Sequence, residues 1–96
     1  MIKYLEKNNL EELVKSDIVL VDFYADWCGP CKMLGKVLEN VDLNIVKVNT
    51  DKFPELAQQF GIMSIPTVII YKHGKEASKF IGFKSKEEIY EIINNL

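Results

Sequence analysis

Residues 18–31 join an apolar run to two closely spaced cysteines and read Ile18-Val19-Leu20-Val21-Asp22-Phe23-Tyr24-Ala25-Asp26-Trp27-Cys28-Gly29-Pro30-Cys31. The first eight residues are almost continuously apolar and rich in β-branched and aromatic types, which is typical of a strand buried on both faces. Pro30 fits the first turn of a helix, where its missing N–H removes no hydrogen bond. The pattern therefore predicts a buried strand that leads through Cys28 into a helix.

The remaining patterns predict short strands and helices in alternation. The first two are an edge strand around Ile2 and Tyr4 and a helix capped by Asn9 with Glu12. The helix after Cys28 has Met33, Val37 and Val41 at intervals of four residues, with Leu34 and Leu38 one position further along the chain from the first two. There follow a strand over 43–49, a helix over 55–60, a strand over 67–71, its hairpin partner over 77–81 and a helix capped by Ser85 with Glu88. The order βαβαβαββα predicts an α/β fold with a central mixed sheet and helices on both faces. No repeat or linker divides the chain, so we expect a single domain over residues 1–96.

Composition and charge disfavour several functional classes. The 96-residue chain has a net charge of −2, and its 12 basic residues are all lysines. Without arginine there is no bidentate fork for phosphates or guanine edges, so we expect no nucleic-acid partner. No apolar run reaches the roughly 18–20 residues that cross a membrane, and the charged N-terminus does not resemble a signal peptide. We therefore expect a cytoplasmic protein without a membrane partner.

The spacing of Cys28 and Cys31 suits chemistry better than structural support. A bridge between them closes a loop too short to add much stability. At a helix start, unpaired N–H groups and the helix dipole favour the Cys28 thiolate, which is the nucleophile in disulfide exchange. Cys31 lies one turn deeper, where it can attack a mixed disulfide formed by Cys28. Gly29 lets a substrate backbone approach, and the absence of a charged residue or histidine between the cysteines favours a reductant.

Other interpretations of the two cysteines remain open from these residues. A Cys-x-x-Cys pair is also half of a structural zinc site, but the only further candidate ligand of that type is His73, in a predicted turn. The cysteines could also be inert, or incidental to a protein-binding module. An enzyme specialised in making or isomerising disulfides is a further alternative.

The segment from Val21 to Lys32 closely resembles the active-site segment of the thioredoxin family, and the resemblance extends over essentially the whole chain. It implies the thioredoxin fold and a monomeric dithiol reductant of protein disulfides that has no bound cofactor or metal. Its expected partners are disulfide-containing client proteins and a thioredoxin reductase that draws electrons from NADPH or ferredoxin. The chain departs from the family in having Lys36 where a helix proline is usual, Tyr24 where tryptophan is frequent, and a shorter stretch after Cys31.

The resemblance also assigns roles to Asp22 and Lys47. An acid inside an apolar strand should have a raised pKa, because burial disfavours its charged form. In the family such an aspartate accepts the proton of the second cysteine, and the alternative is a hydrogen-bonded structural acid. The family places a lysine near that aspartate, and the resemblance implies that Lys47 tunes the Asp22 carboxyl. The alternative is a lysine whose stem packs in the fold while its ammonium extends into water.

Six further residues are candidates for substrate binding. Trp27 precedes the nucleophile and could contact substrates from the rim of the site. The run from Gly61 to Thr67 resembles the family loop that carries a cis-proline, although base rates alone would make the Ile65–Pro66 bond trans. A cis bond would turn the Ile65 backbone toward the cysteines, where it can pair with an extended substrate. Gly82, by resemblance, and Gly29 and Pro30, by position, complete the set.

Overall fold

The computed structural model describes all 96 residues as five strands and four helices. The strands are β1 (Ile2–Tyr4), β2 (Ile18–Tyr24), β3 (Asn44–Asn49), β4 (Thr67–Lys72) and β5 (Lys75–Ile81). The helices are α1 (Leu10–Leu13), α2 (Gly29–Leu38), α3 (Pro54–Gln59) and α4 (Lys86–Asn94). The order and the α/β class predicted from the sequence are confirmed. The predicted bounds differ from the observed ones by at most three residues, and the largest difference is at the end of α2, which stops at Leu38 before Val41.

The five strands form one mixed sheet in the order β1-β3-β2-β4-β5. Strands β1, β3 and β2 are parallel, whereas β4 runs antiparallel to β2 and β5 antiparallel to β4. The β4–β5 hairpin turns at His73 and Gly74, which both have positive φ, as short hairpin turns require. The register places Lys47 directly beside Tyr4 on one neighbouring strand and Asp22 on the other.

The sheet separates two hydrophobic clusters, one on each face. Helices α1 and α3 pack on the first face, where Phe23 and Leu56 belong to the larger cluster. Helices α2 and α4 pack on the second face, where Leu20 and Ile89 lie in the other cluster. Because side chains alternate along a strand, Asp22 lies on the same face as Leu20, under α2.

Two details of the helices differ from the sequence prediction. The buried positions of α2 are Cys31, Leu34 and Leu38. Of the predicted line Met33, Val37 and Val41, the last two pack against the second cluster, while Met33 is 58% exposed. Asn9 occupies the predicted N-cap position of the four-residue helix α1, but its side chain makes no capping hydrogen bond. None of the four helices has the length and apolar character needed to span a bilayer.

Candidate active site

The two cysteines lie where β2 passes into α2, and they form a disulfide with a Cα–Cα distance of 5.2 Å. Cys28 is the N-cap residue of α2, and its sulfur accepts a hydrogen bond from the Cys31 backbone N–H at 3.2 Å. Pro30 lies in the first turn, as its missing N–H allows. A sulfur at this position is stabilised as a thiolate after reduction, because the N–H groups and the helix dipole favour negative charge.

Both cysteines are shielded in the disulfide form. Cys28 is 5% exposed and Cys31 is 2% exposed, so the deeper position predicted for Cys31 makes only a small difference to its exposure. The reason is a covering layer: the Ile65 carbonyl oxygen lies 3.8 Å from the Cys28 sulfur, and Tyr24 packs against the same cluster. These contacts restrict access to the Cys28 sulfur from the side of Ile65 and Tyr24.

The loop before β4 brings Ile65, Pro66 and Gly82 together beside the cysteines. The Ile65–Pro66 peptide bond is cis, as the sequence resemblance implied. The Gly82 N–H donates a hydrogen bond of 2.8 Å to the Pro66 carbonyl oxygen, and Gly82 has a φ of 86°, which glycine adopts without the steric penalty of a side chain. Gly82 thus joins the end of β5 to the loop that touches Cys28.

Asp22 is completely buried, and neither of its carboxylate oxygens has a hydrogen-bond partner. The Lys47 Nζ lies 3.4 Å from its Oδ2, so the contact is an ion pair without hydrogen-bond geometry. Burial raises the pKa of Asp22 from 3.8 to about 6, and the opposing attraction of Lys47 only partly offsets this. An acid with this pKa exchanges its proton close to neutral pH.

A cleft of about 390 Å³ beside α2 extends from Lys47 to Cys31. Cys31, Gly35 and Lys47 all line it. The Lys47 side chain is only 10% exposed, and its ammonium is directed at Asp22 instead of bulk water. The arrangement places a buried acid–base group and its counter-ion on the side of the sheet that faces Cys31.

Trp27 is anchored by a residue that the sequence did not single out. Its side chain is exposed, and the indole N–H donates a hydrogen bond of 2.9 Å to Asp51 Oδ2. Asn49 holds the turn that carries Asp51, because its Oδ1 accepts hydrogen bonds from the backbone N–H groups of Asp51 and Lys52. An asparagine at a strand end indicates such a turn, but no local pattern relates it to Trp27.

Three further neighbours of Lys47 were also missed. The rings of Tyr24 and Tyr4 lie 4.5 and 5.8 Å from its Nζ. A Cβ built on Gly35 would come within 3.3 Å of the same atom. Tyr24 is a departure from the family pattern, and Gly35 directly precedes another departure, Lys36. Only the β1–β3 register reveals Tyr4.

A comparison with known protein families agrees with this geometry. The family model Thioredoxin matches residues 1–95. This chain belongs to the thioredoxin family. A thioredoxin from Chlamydia caviae is 41% identical to it over 98% of this chain and 97% of the relative, and one from Listeria monocytogenes is 42% identical with the same coverage.

Solved structures of the thioredoxin family share the fold. A point-mutant thioredoxin from Halobacterium salinarum superposes with a TM-score of 0.89 at 30% identity, covering 98% of this chain and 88% of the other. A thioredoxin from Malassezia sympodialis superposes with a TM-score of 0.84 at 27% identity, covering 99% of this chain and 90% of the other. The predicted thioredoxin fold is confirmed.

Family membership and the cysteine pair together identify a thiol–disulfide oxidoreductase of the protein-disulfide reductase type. Members of the family bind no cofactor. No group of three or more His, Cys, Asp and Glu residues is arranged to hold a metal ion. His73, the only further candidate for a zinc ligand of the His or Cys type, pairs instead with Asp17 at 3.3 Å.

Proposed function

We propose that the protein reduces disulfides of client proteins, with Cys28 as the attacking and Cys31 as the resolving thiol. The Cys28 thiolate attacks one client sulfur, and the other client sulfur leaves as a thiolate that takes a proton. The Cys31 thiolate then attacks Cys28 and releases the second client sulfur. The client gains two electrons and becomes a dithiol, and Cys28–Cys31 returns to the disulfide.

The observation that carries this division of roles is the position of Cys28 at the N-cap of α2. Its sulfur receives an N–H hydrogen bond from Cys31 and lies at the positive end of the helix dipole. Cys31 lies within α2 and is slightly more buried than Cys28. The thiolate therefore forms more readily at Cys28, which acts first.

Asp22 takes the Cys31 proton in the resolving step. Lys47 supplies a positive charge that favours the ionised carboxylate of Asp22, which is the form that can accept this proton. The support is the burial of Asp22, its pKa of about 6 and the ion pair with Lys47. A base whose pKa lies near the working pH is the most effective proton acceptor.

Clients bind as extended segments against the Ile65 backbone, across the cis-Pro66 loop. The rim of this surface carries exposed apolar side chains of Trp27 and Met63, while Gly29 and Gly82 allow close approach of a backbone. Pro30 lies exposed beside Cys28 on the same rim. These features favour a surface that accepts many client sequences, because main-chain pairing does not depend on side-chain identity.

Electrons reach Cys28–Cys31 from a thioredoxin reductase supplied by NADPH or ferredoxin. The protein acts in the cytoplasm as a monomer, and residues 1–96 fold as one domain. These statements rest on the family and on the amino-acid sequence.

The decisive experiment traps the mixed disulfide. The Cys31→Ser variant should accumulate a covalent complex with a disulfide substrate such as insulin, because the resolving attack is lost. The complex should be visible on non-reducing gels and dissolve with dithiothreitol. The matched Cys28→Ser variant should trap nothing. A complex that forms through Cys31 in the Cys28→Ser variant, and not through Cys28, would reverse the assignment.

A further inference from the structure

The Lys47 ammonium lies in an enclosure of two aromatic rings and one glycine, which we call the lysine socket. Its walls are Tyr24, at 4.5 Å from Nζ to ring centroid, and Tyr4, at 5.8 Å. The third wall is Gly35, where a Cβ would approach Nζ to 3.3 Å. Aromatic faces attract an ammonium over these distances, and the glycine leaves room for it.

The socket is built by elements that are distant in sequence. Tyr4 is the β1 neighbour of Lys47, and Tyr24 lies at the end of β2 with its ring 6.2 Å from that of Tyr4 in an edge arrangement. Glycine inside a helix is less favourable than alanine. Outside its own helix, Gly35 has no atom other than the Lys47 Nζ within 4 Å of its Cβ position. Room for the ammonium is therefore what this glycine provides.

We propose that Tyr24 and Tyr4 are positioning residues for the Lys47 ammonium. By holding it against Asp22, they favour the ionised carboxylate that can accept a proton from Cys31. The pKa of Tyr24 is raised by burial above its ordinary value of 10.0, so its hydroxyl is protonated near neutral pH. The contact with the ammonium is made by the ring face. The inference rests on the proposed role of Asp22 in the resolving step.

No other charged group replaces Lys47 at Asp22. Facing the carboxylate from β4 is the apolar Val68. The remaining titratable or charged groups along the cleft are Asp26, then Cys31, Lys32 and Lys36 on α2, and Glu39 at the C-cap of α2. Only Lys47 forms an ion pair with Asp22. Loosening the lysine should therefore raise the pH at which Asp22 loses its proton.

The test compares Tyr24→Leu with Tyr24→Phe. The leucine removes the ring, and the Asp22 titration midpoint, followed by carboxyl NMR, should move upward by about half a pH unit. The phenylalanine keeps the ring and should leave the midpoint unchanged. Tyr4→Leu should give a smaller upward shift, because its ring is farther from Nζ. This second variant keeps the test available if Tyr24→Leu does not fold, since Tyr4 is more than half exposed.

The same substitutions in a Lys47→Met background separate the socket from other effects. There, neither leucine variant should move the Asp22 midpoint, because no ammonium remains to be held. An equal shift in that background, or no shift in the wild-type background, would overturn the inference. If the midpoint moves as expected while the decay of the mixed disulfide keeps its pH profile, the socket stands and the proposed role of Asp22 fails.

Discussion

At the scale of single residues, the most unusual feature is a carboxylate with no hydrogen bond in the centre of the protein. Asp22 is fully buried between apolar neighbours of β2, and its only polar contact is the ion pair with Lys47. Such burial is unfavourable for stability. The proposed role as proton acceptor for Cys31 would explain why an acid occupies a position that a hydrophobic residue would fill more stably.

The Asp22→Asn variant should slow the resolving step by roughly 10–100-fold, the low end of general-base contributions, because water can substitute in part. The first attack by Cys28 should keep its rate. Rapid-mixing kinetics of mixed-disulfide formation and decay would separate the two steps. The matched control is Asp26→Asn, which removes the same charge from an exposed site and should change neither step. Equal decay rates in Asp22→Asn and wild type would assign Asp22 a purely structural role.

The same variant should be more stable than the wild type at alkaline pH. The folded pKa of Asp22, about 6, lies above the unfolded value of 3.8, so ionisation destabilises the fold as pH rises between these values. The wild type should lose about 1–3 kcal/mol over this range relative to Asp22→Asn, after allowance for a buried amide without partners. Denaturant titrations at about pH 4 and about pH 8 would measure this difference. A variant less stable than wild type at the higher pH would contradict it.

At the scale of helices and strands, two similar sequence patterns have different outcomes. Asn9 with Glu12 and Ser85 with Glu88 both follow the spacing of a capping box. Ser85 adopts an extended backbone with φ −73° and ψ 162°, and both reciprocal hydrogen bonds form with Glu88. Asn9 has φ −129° and ψ 34°, and α1 contains only four residues, so its side chain makes no cap.

This contrast predicts different costs for the two caps. Ser85→Ala should lower the free energy of unfolding by about 1 kcal/mol, because the Glu88 N–H loses its partner at the start of α4. Asn9→Ala is the matched control and should cost much less, since no capping hydrogen bond exists to be lost. Urea denaturation of both variants would measure the difference. Equal losses would contradict the structure, because they would mean that the Asn9 side chain stabilises the start of α1 as much as Ser85 stabilises the start of α4.

Sequence patterns predict the elements better than the contacts between them. The apolar run of β2, the helix start after Cys28 and the cap at Ser85 depend on neighbours within a few residues, so the sequence predicts them well. The pairing of Trp27 with Asp51 and of Lys47 with Tyr4 depends on strand register and turn shape. Those contacts join distant parts of the chain, and only the folded structure reveals them.

At the scale of the whole molecule, β2 connects both hydrophobic clusters and the active site. Its side chains alternate between the two faces, so Phe23 packs with α1 and α3 while Leu20 packs with α2 and α4. The same strand carries Asp22 and leads to Cys28. Loss of packing on either face therefore weakens the strand that positions the reactive groups.

If residues 1–96 unfold as one cooperative unit, a destabilising substitution in α4 should also lower the unfolding midpoint measured at the active site. Ile89 is fully buried against the sheet, and Ile89→Ala should lower the free energy of unfolding by about 2–5 kcal/mol through lost contacts and a residual cavity. That is a large share of the roughly 5–15 kcal/mol typical of a domain. Far-UV circular dichroism and the fluorescence of Trp27, the only tryptophan, should show the same shifted midpoint, as two-state unfolding requires.

The matched control is Ile92→Ala, at a half-buried position of the same helix, which should lower the free energy of unfolding less and also shift both signals together. A fluorescence midpoint that stays at the wild-type value while the dichroism midpoint falls would show that α4 unfolds separately from the active-site half of the sheet.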